Sequence, residues 1–208
     1  MNAFVLAGGQ STRMGSDKAL LDFHGRPLIE HALARFRALG FTPHIAGSRP
    51  DLAQYAPIIP DNYSSSGPLA GIEAALSVSS DDLSFFLPVD LPLLPIDFLR
   101  WMTLRAQETS ALATIPRLQG RPQPLCAVYH RAVLPYARAA LAAKSAKVMH
   151  AVDHAASETR LNIDLFDTET VAASAEWAPT PPVHRWFQNL NTPADHETAA
   201  LEEWPDIQ

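Results

Sequence analysis

Cysteine occurs once, at Cys126, which leaves no partner for an internal disulfide and no multi-cysteine metal site. Cys126 lies in an apolar run, so a buried and inert thiol is expected, with a catalytic thiol the lesser alternative. Lysine is nearly as scarce: there are three, at 18, 144 and 147, beside thirteen arginines. No stretch approaches the roughly 20 apolar residues of a membrane span. No basic segment precedes the short apolar run at the N-terminus, so no signal peptide is read there. A soluble cytoplasmic protein is the expectation. Excess positive charge is missing too: 16 Lys and Arg stand against 22 Asp and Glu, a net charge of −6. A chain this acidic has no general attraction to nucleic acid or to anionic membranes. Any phosphate site must be local, assembled from loop amides, a few cations and a metal.

What is present suits a globular fold. The 208 residues are 47% apolar and 18% charged, enough for a sizeable core in a single domain spanning 1–208. Residues 4–7 form an apolar run ending in glycines, as a buried strand entering a tight turn does. Residues 27–39 carry apolar side chains at helical spacing, with Pro27 at the start and Gly40 as a stop. Strands are expected at 43–46, 57–59, 83–89, 111–115, 125–129, 160–163 and 187–190. Helices are expected at 69–78, 95–106, 131–143, 146–155 and 193–201, with a loop over 174–185. Strands alternating with helices imply an α/β fold with a mainly parallel sheet. In such sheets ligands bind beyond the carboxyl ends of the strands, so the loops after Leu6, Ile59 and Val89 are the informative ones.

The first of these loops reads Leu6-Ala7-Gly8-Gly9-Gln10-Ser11-Thr12-Arg13-Met14-Gly15-Ser16-Asp17-Lys18. Its glycines permit close ligand approach, and successive amides in such a turn form an anion-binding concavity. Arg13 can fork two donors onto phosphate, and Lys18 adds a compact charge. The Walker pattern fails, because Arg13 and Met14 stand where its second glycine belongs, and the dinucleotide G-x-G-x-x-G is absent. A surface loop with incidental charges is the bland alternative.

Three further segments carry chemistry. Asp61 follows the strand at 57–59, and Gly67-Pro68-Leu69-Ala70-Gly71 opens the next helix. Alone, that pentapeptide is a plausible helix start and no more. Phe85-Phe86-Leu87-Pro88-Val89-Asp90-Leu91-Pro92 delivers one carboxylate at the end of an apolar strand. A buried unpaired carboxylate is costly, so Asp90 needs a partner or must face a cleft. Mg²⁺ favours one or two carboxylates plus phosphate oxygens and water, which makes Asp90 the metal candidate; a helix N-cap is the alternative. Asn189-Leu190-Asn191-Thr192-Pro193-Ala194-Asp195 has a good helix start at Thr192-Pro193, but that does not explain the two asparagines.

Taken in order, these motifs resemble the molybdenum cofactor guanylyltransferase (MobA-like) family of nucleotidyltransferases. The resemblance covers most of the chain, from Val5 to Asp195. It implies a Rossmann-like three-layer α/β/α sandwich of the nucleotide-diphospho-sugar transferase type. It also implies transfer of GMP from GTP to the terminal phosphate of molybdopterin, with Mg²⁺ and pyrophosphate release. Leu6, Ala7, Gly8, Gly9, Lys18, Asp61, Gly71, Asn189 and Asn191 are then the expected binding residues. Arg13, Lys18 and Asp90 are the expected catalytic residues, and Asp90 is the metal ligand. Lys144 and Lys147 fall where the family meets its pterin, and Arg121 is a candidate for the pterin phosphate, with a solvated turn the equal alternative. Molybdoenzyme-specific chaperones are conceivable partners. Departing from the family, Gly47-Ser48 stand where an asparagine usually contacts the nucleotide. No histidine is needed; His24, His31 and His130 read as surface or helix-end residues. The rival readings are transfer of CMP, transfer to another small phosphate, and a non-catalytic GTP-binding delivery protein.

Overall fold

The computed structural model describes residues 1–8, 17–64, 66–175, 177 and 181–190. The chain opens with strand β1 (Asn2–Leu6), and a short 3-10 turn follows at Lys18–Leu20. Next come β2 (Asp22–Phe23), β3 (Arg26–Pro27), helix α1 (Leu28–Ala38), β4 (His44–Ala46), a 3-10 turn at Pro50–Leu52 and β5 (Ile58–Ile59). Then follow α2 (Pro68–Val78), β6 (Leu83–Pro88), α3 (Ile96–Thr109), β7 (Ala113–Leu118), β8 (Arg121–Pro122) and β9 (Ala127–His130). The described chain continues through α4 (Leu134–Ala142), α5 (Val148–Thr159), β10 (Ile163–Asp167) and α6 (Thr168–Ser174).

The main sheet runs in the order β10-β7-β9-β6-β1-β4-β5, with β8 paired to β7. β6, β1, β4 and β5 are mutually parallel, as are β10 and β7, while β9 is antiparallel to both β6 and β7. The strands are apolar on both faces because helices cover both. Alternate residues of β1 therefore serve different cores. Ala3 and Val5 pack with α1 and α3, and Phe4 and Leu6 pack with α2, α4 and α5. The result is the expected three-layer α/β/α sandwich.

Helix α2 shows how sequence sets an entry. Gly67 holds φ +69, a conformation that side chains disfavour, and Pro68 at the first helical position needs no hydrogen bond for its nitrogen. Its faces then bury Leu69, Ile72, Ala75 and Leu76.

Several local expectations are corrected. The strand expected at 160–163 begins only at Ile163, because α5 runs on to Thr159 and Arg160 caps it in the left-handed region. Residues 187–190 form no strand. Trp186 and Phe187 are instead taken up by an aromatic cluster around Phe98 of α3, joined by Trp177. Helix α6, the β2–β3 hairpin and β8 were not foreseen, and each is too short to show a period. His31 is buried rather than superficial. Its Nε2–H donates to the Phe23 carbonyl at 2.6 Å, and burial pushes its pKa down to about 4. His24 is exposed and the His130 side chain accepts from the Ala132 amide at a helix start, as read. The helix expected at 193–201 lies outside the described residues. Cys126 is buried, and burial raises its thiol pKa far above the usual value, so it stays protonated and inert.

Candidate active site

Parallel pairing brings the strand ends together. The Val89 amide donates to the Leu6 carbonyl at 3.1 Å, the Ala7 amide to Ala46 at 3.1 Å, and the Gly47 amide to Ile59 at 2.9 Å. These bonds lace the tips of β6, β1, β4 and β5 into one rim. Beyond it lies a cleft of about 290 Å³. Leu6, Ala7, Gly8, Lys18, Asp61, Gly71 and Asp90 all line it, so seven of the expected site residues converge there. The start of α2 contributes Gly67 and Pro68, and Leu125 comes from the segment before β9, whose antiparallel course puts its beginning at this edge.

Asp90 stands two residues past β6 with its side chain 18% exposed. Its Oδ2 receives Lys18 Nζ at 3.5 Å, a loose contact in which the ammonium occupies the cation's side of the carboxylate. Asp90 is not a helix cap, because α3 starts at Ile96 with Pro95 in the cap position. The turn that follows Asp90 is held by the buried Arg35 of α1, which donates through Nε to the Leu94 carbonyl at 3.0 Å and through Nη2 to that of Pro92. With the turn pinned and no cap to form, the carboxylate is left facing the cleft.

Asp61 sits beyond β5 and is half-buried. Its amide donates to Ser48 Oγ at 3.1 Å, which fixes the backbone. Its Oδ1 is buried with no hydrogen-bond partner among the described residues. Burial pushes the carboxyl pKa above the usual range, with a backbone hydrogen bond from Ser48 pulling the other way. Gly71 lies against it, where a Cβ would stand 3.5 Å from Oδ1 and 3.4 Å from Leu6, ordinary contact distances. Gly47 is tighter still. At φ +140, a Cβ would stand 2.9 Å from the Gly8 amide nitrogen, so only glycine lets the tips of β1 and β4 approach this closely. A buried polar atom without a partner is rare in folded proteins, and inside a cleft a ligand or an ordered water can supply the missing bond.

The other expected residues divide. Gly9, Arg13 and Asn191 lie outside the described residues. Asn189 is exposed, and the next amide, Leu190, donates to the Asp90 carbonyl at 3.3 Å, so this segment reaches the acid's backbone. Arg121 lies exposed on β8, away from the cleft lining. Lys144 lines a separate cavity of about 360 Å³ with Ser64, Ser66 and Ser145, and Lys147 stands exposed before α5. Two cleft residues, Arg49 and Asp17, were not foreseen. The available signal was an arginine directly after the unusual Gly47-Ser48, where a strand ends beside the first loop.

Among the described residues no group of three or more His, Cys, Asp or Glu side chains could cage a metal. A cation here would be held by one carboxylate together with ligand phosphates, the donor set that suits Mg²⁺. Asp90, already drawing the ammonium of Lys18, fits that requirement.

Comparison with known proteins agrees with this arrangement. Residues 3–158 match the family model described as MobA-like NTP transferase domain. A probable molybdenum cofactor guanylyltransferase of Deinococcus radiodurans is 34% identical over 201 residues, covering 94% of this chain and 91% of its own. One of Flavobacterium johnsoniae is 32% identical over 153 residues, covering 72% of this chain and 78% of its own. The crystal structure of molybdopterin-guanine dinucleotide biosynthesis protein A from Archaeoglobus fulgidus shares the fold. It superposes with a TM-score of 0.77 at 24% identity, covering 97% of each chain. This chain therefore belongs to the MobA-like NTP transferase family, and it is a nucleotidyltransferase.

Proposed function

We propose that this protein transfers GMP from GTP to the terminal phosphate of molybdopterin, releasing pyrophosphate, with Mg²⁺ held at Asp90. One observation carries the reading: a single cleft holds a buried carboxylate oxygen, on Asp61, with no partner among the described residues, and a carboxylate–ammonium pair, Asp90 with Lys18. The first suits a base and the second suits phosphates. β5 and β6 are three strand spacings apart, roughly 14 Å between axes, which leaves room for a nucleoside between them. A carboxylate only accepts hydrogen bonds. Guanine presents adjacent ring and amino N–H donors on one edge, whereas cytosine offers its amino group beside acceptors. An unpaired Asp61 therefore favours GTP, in keeping with the names of the relatives.

Bound at Asp90, Mg²⁺ would supply neutralisation of phosphate charge. Lys18 takes the phosphate oxygens as a compact charge once its contact with Asp90 is exchanged for them. The rim amides of Ala7 and Gly47 are already used within the sheet, so they brace the cleft rather than bind in it. The attacking phosphate oxygen of the acceptor is anionic from the start and needs no general base. Among the described residues no histidine lines the cleft. Catalysis is then positioning and charge stabilisation.

The test is pyrophosphate release by the purified chain, with GTP or CTP, with Mg²⁺ or EDTA, and with or without molybdopterin. Release is expected only with GTP, Mg²⁺ and molybdopterin together. Equal or faster release with CTP, or full release in EDTA, would overturn the reading.

A further inference from the structure

Arg49 is an expensive residue to keep where it stands. Its side chain is only 7% exposed, yet it lines the cleft and carries a full charge. Desolvating a guanidinium is costly unless its donors are satisfied. Here they are satisfied on two sides. Nε donates to Asp51 Oδ1 at 2.9 Å and Nη2 to Asp51 Oδ2 at 2.5 Å. Nη1 donates to Asp17 Oδ1 at 3.2 Å, and Nη2 also bonds Asp17 Oδ2. Asp51 first, and Asp17 after it, hold the guanidinium more firmly protonated than usual.

The two carboxylates are not equivalent in what they reach. Asp51 is two residues away, on the same 3-10 turn, and half in solvent. Asp17 is 32 residues away in sequence and belongs to the far end of the glycine-rich loop. It caps the turn Lys18–Leu20, accepting from the Ala19 amide at 3.0 Å, and it immediately precedes Lys18. A lysine side chain has four rotatable carbons and no fixed direction of its own. Its reach toward Asp90 therefore depends on where that turn is anchored. The buried Ala19 anchors one side, and the Arg49 fork, planar and bidentate, anchors the other.

We propose that Arg49 is a positioning residue for nucleotidyl transfer: by clamping Asp17 it fixes the turn that presents Lys18 to the phosphates. This rests on the nucleotide reading of the cleft given above. Arg49 touches no reacting atom in this scheme; it acts through Lys18.

A double-mutant cycle on the purified full chain tests it, with GTP affinity measured by calorimetry and kcat and KM from pyrophosphate release. Arg49→Gln is expected to weaken GTP binding about tenfold, the scale of one charged hydrogen bond. In a Lys18→Ala background the same change is expected to cost less than about twofold, since the residue it positions is gone. A purely structural clamp would lower the unfolding temperature and the affinity equally in both backgrounds, which would overturn the proposal. Asp17→Asn is run as a second cycle. It keeps the acceptor for the Ala19 amide, breaks the ion pair and leaves no stray carboxylate beside the phosphates. It decides the matter where Arg49→Gln does not fold or where the two cycles differ. Lys18→Ala alone separates the two levels of inference: if it leaves GTP binding untouched, the nucleotide reading fails, whereas additive losses sink only the role of Arg49.

Discussion

The two flanks of the sheet differ in how the carboxylates at or just beyond their strands are matched. On the flank β6-β1-β4-β5, all strands run in parallel and all carboxyl ends open on the same edge. There Asp61 keeps a buried oxygen without a partner among the described residues, and Asp90 meets Lys18 at 3.5 Å. On the flank β9-β7-β10, carboxylates are matched closely. Arg105 forks onto Asp164 with two bonds of 2.6 Å and stacks over Trp101, and Arg117 pairs with Asp167 at 2.7 Å. The contrast teaches where to look. Carboxylates matched by arginine hold scaffold together, whereas Asp61 and Asp90 are under-matched inside a cleft; Arg117 Nε and Thr168 Oγ1, also buried without a partner among the described residues, do not line it.

The sharpest way to break this contrast is to remove the acid at the tip of β6. Asp90→Ala is expected to lower kcat by about a thousandfold, the scale of losing one preorganised electrostatic group, while the unfolding temperature stays put. Full activity in that variant would strike Asp90 from the metal site. Next is Gly47→Ala. Its new methyl would meet the backbone of Gly8 at 2.9 Å, and φ +140 adds strain. Spreading the tips of β1 and β4 is expected to cost about 2 kcal/mol of stability, read as a lower unfolding temperature, and to weaken GTP binding by misaligning the cleft.

A smaller effect follows from the pKa of Asp61. Because burial raises it, the carboxyl takes up a proton at a pH where an ordinary aspartate is still ionised. The neutral acid is a poorer acceptor, so GTP affinity is expected to fall as the pH drops through that raised value and to recover above it. Asp61→Asn is expected to bind GTP about tenfold more weakly and to lose this pH dependence, on the scale of a lost charged hydrogen bond. A pH profile identical to that of the unmodified chain would remove Asp61 from the base site. The smallest effect belongs to the other flank. Arg105→Ala is expected to cost about 1 kcal/mol of stability, since Arg105 is one-third exposed and solvent screens the pair, and to leave GTP affinity unchanged. A clear loss of affinity there would show that the two flanks are not independent.

Much of the first flank was legible in the sequence because its signals are local. An apolar run ending in glycines, an Asp after Phe85–Val89 and a Gly-Pro pair before a helix each declare themselves within a few residues. The layers were legible for the same reason, through alternating strand and helix periods. The partnership of Arg49 with Asp17 was not, because it joins two loops whose contact exists only once β1 and β4 are paired. Residues 187–190 misled for a related reason. Phe187 suits a strand, but its ring is spent on packing against Phe98. His31 looked like any polar residue on a helix until the β2–β3 hairpin folded over it and supplied the Phe23 carbonyl.

The bond from the Leu190 amide to the Asp90 carbonyl ties a late-synthesised stretch to a strand made long before it. A ribosome releases the glycine-rich loop early and β6 midway, yet the backbone of the acid gains this donor only when Leu190 has emerged and Trp186 has wedged itself beside Phe98. A nascent chain that lacks this stretch would hold the backbone of the acid on one side only.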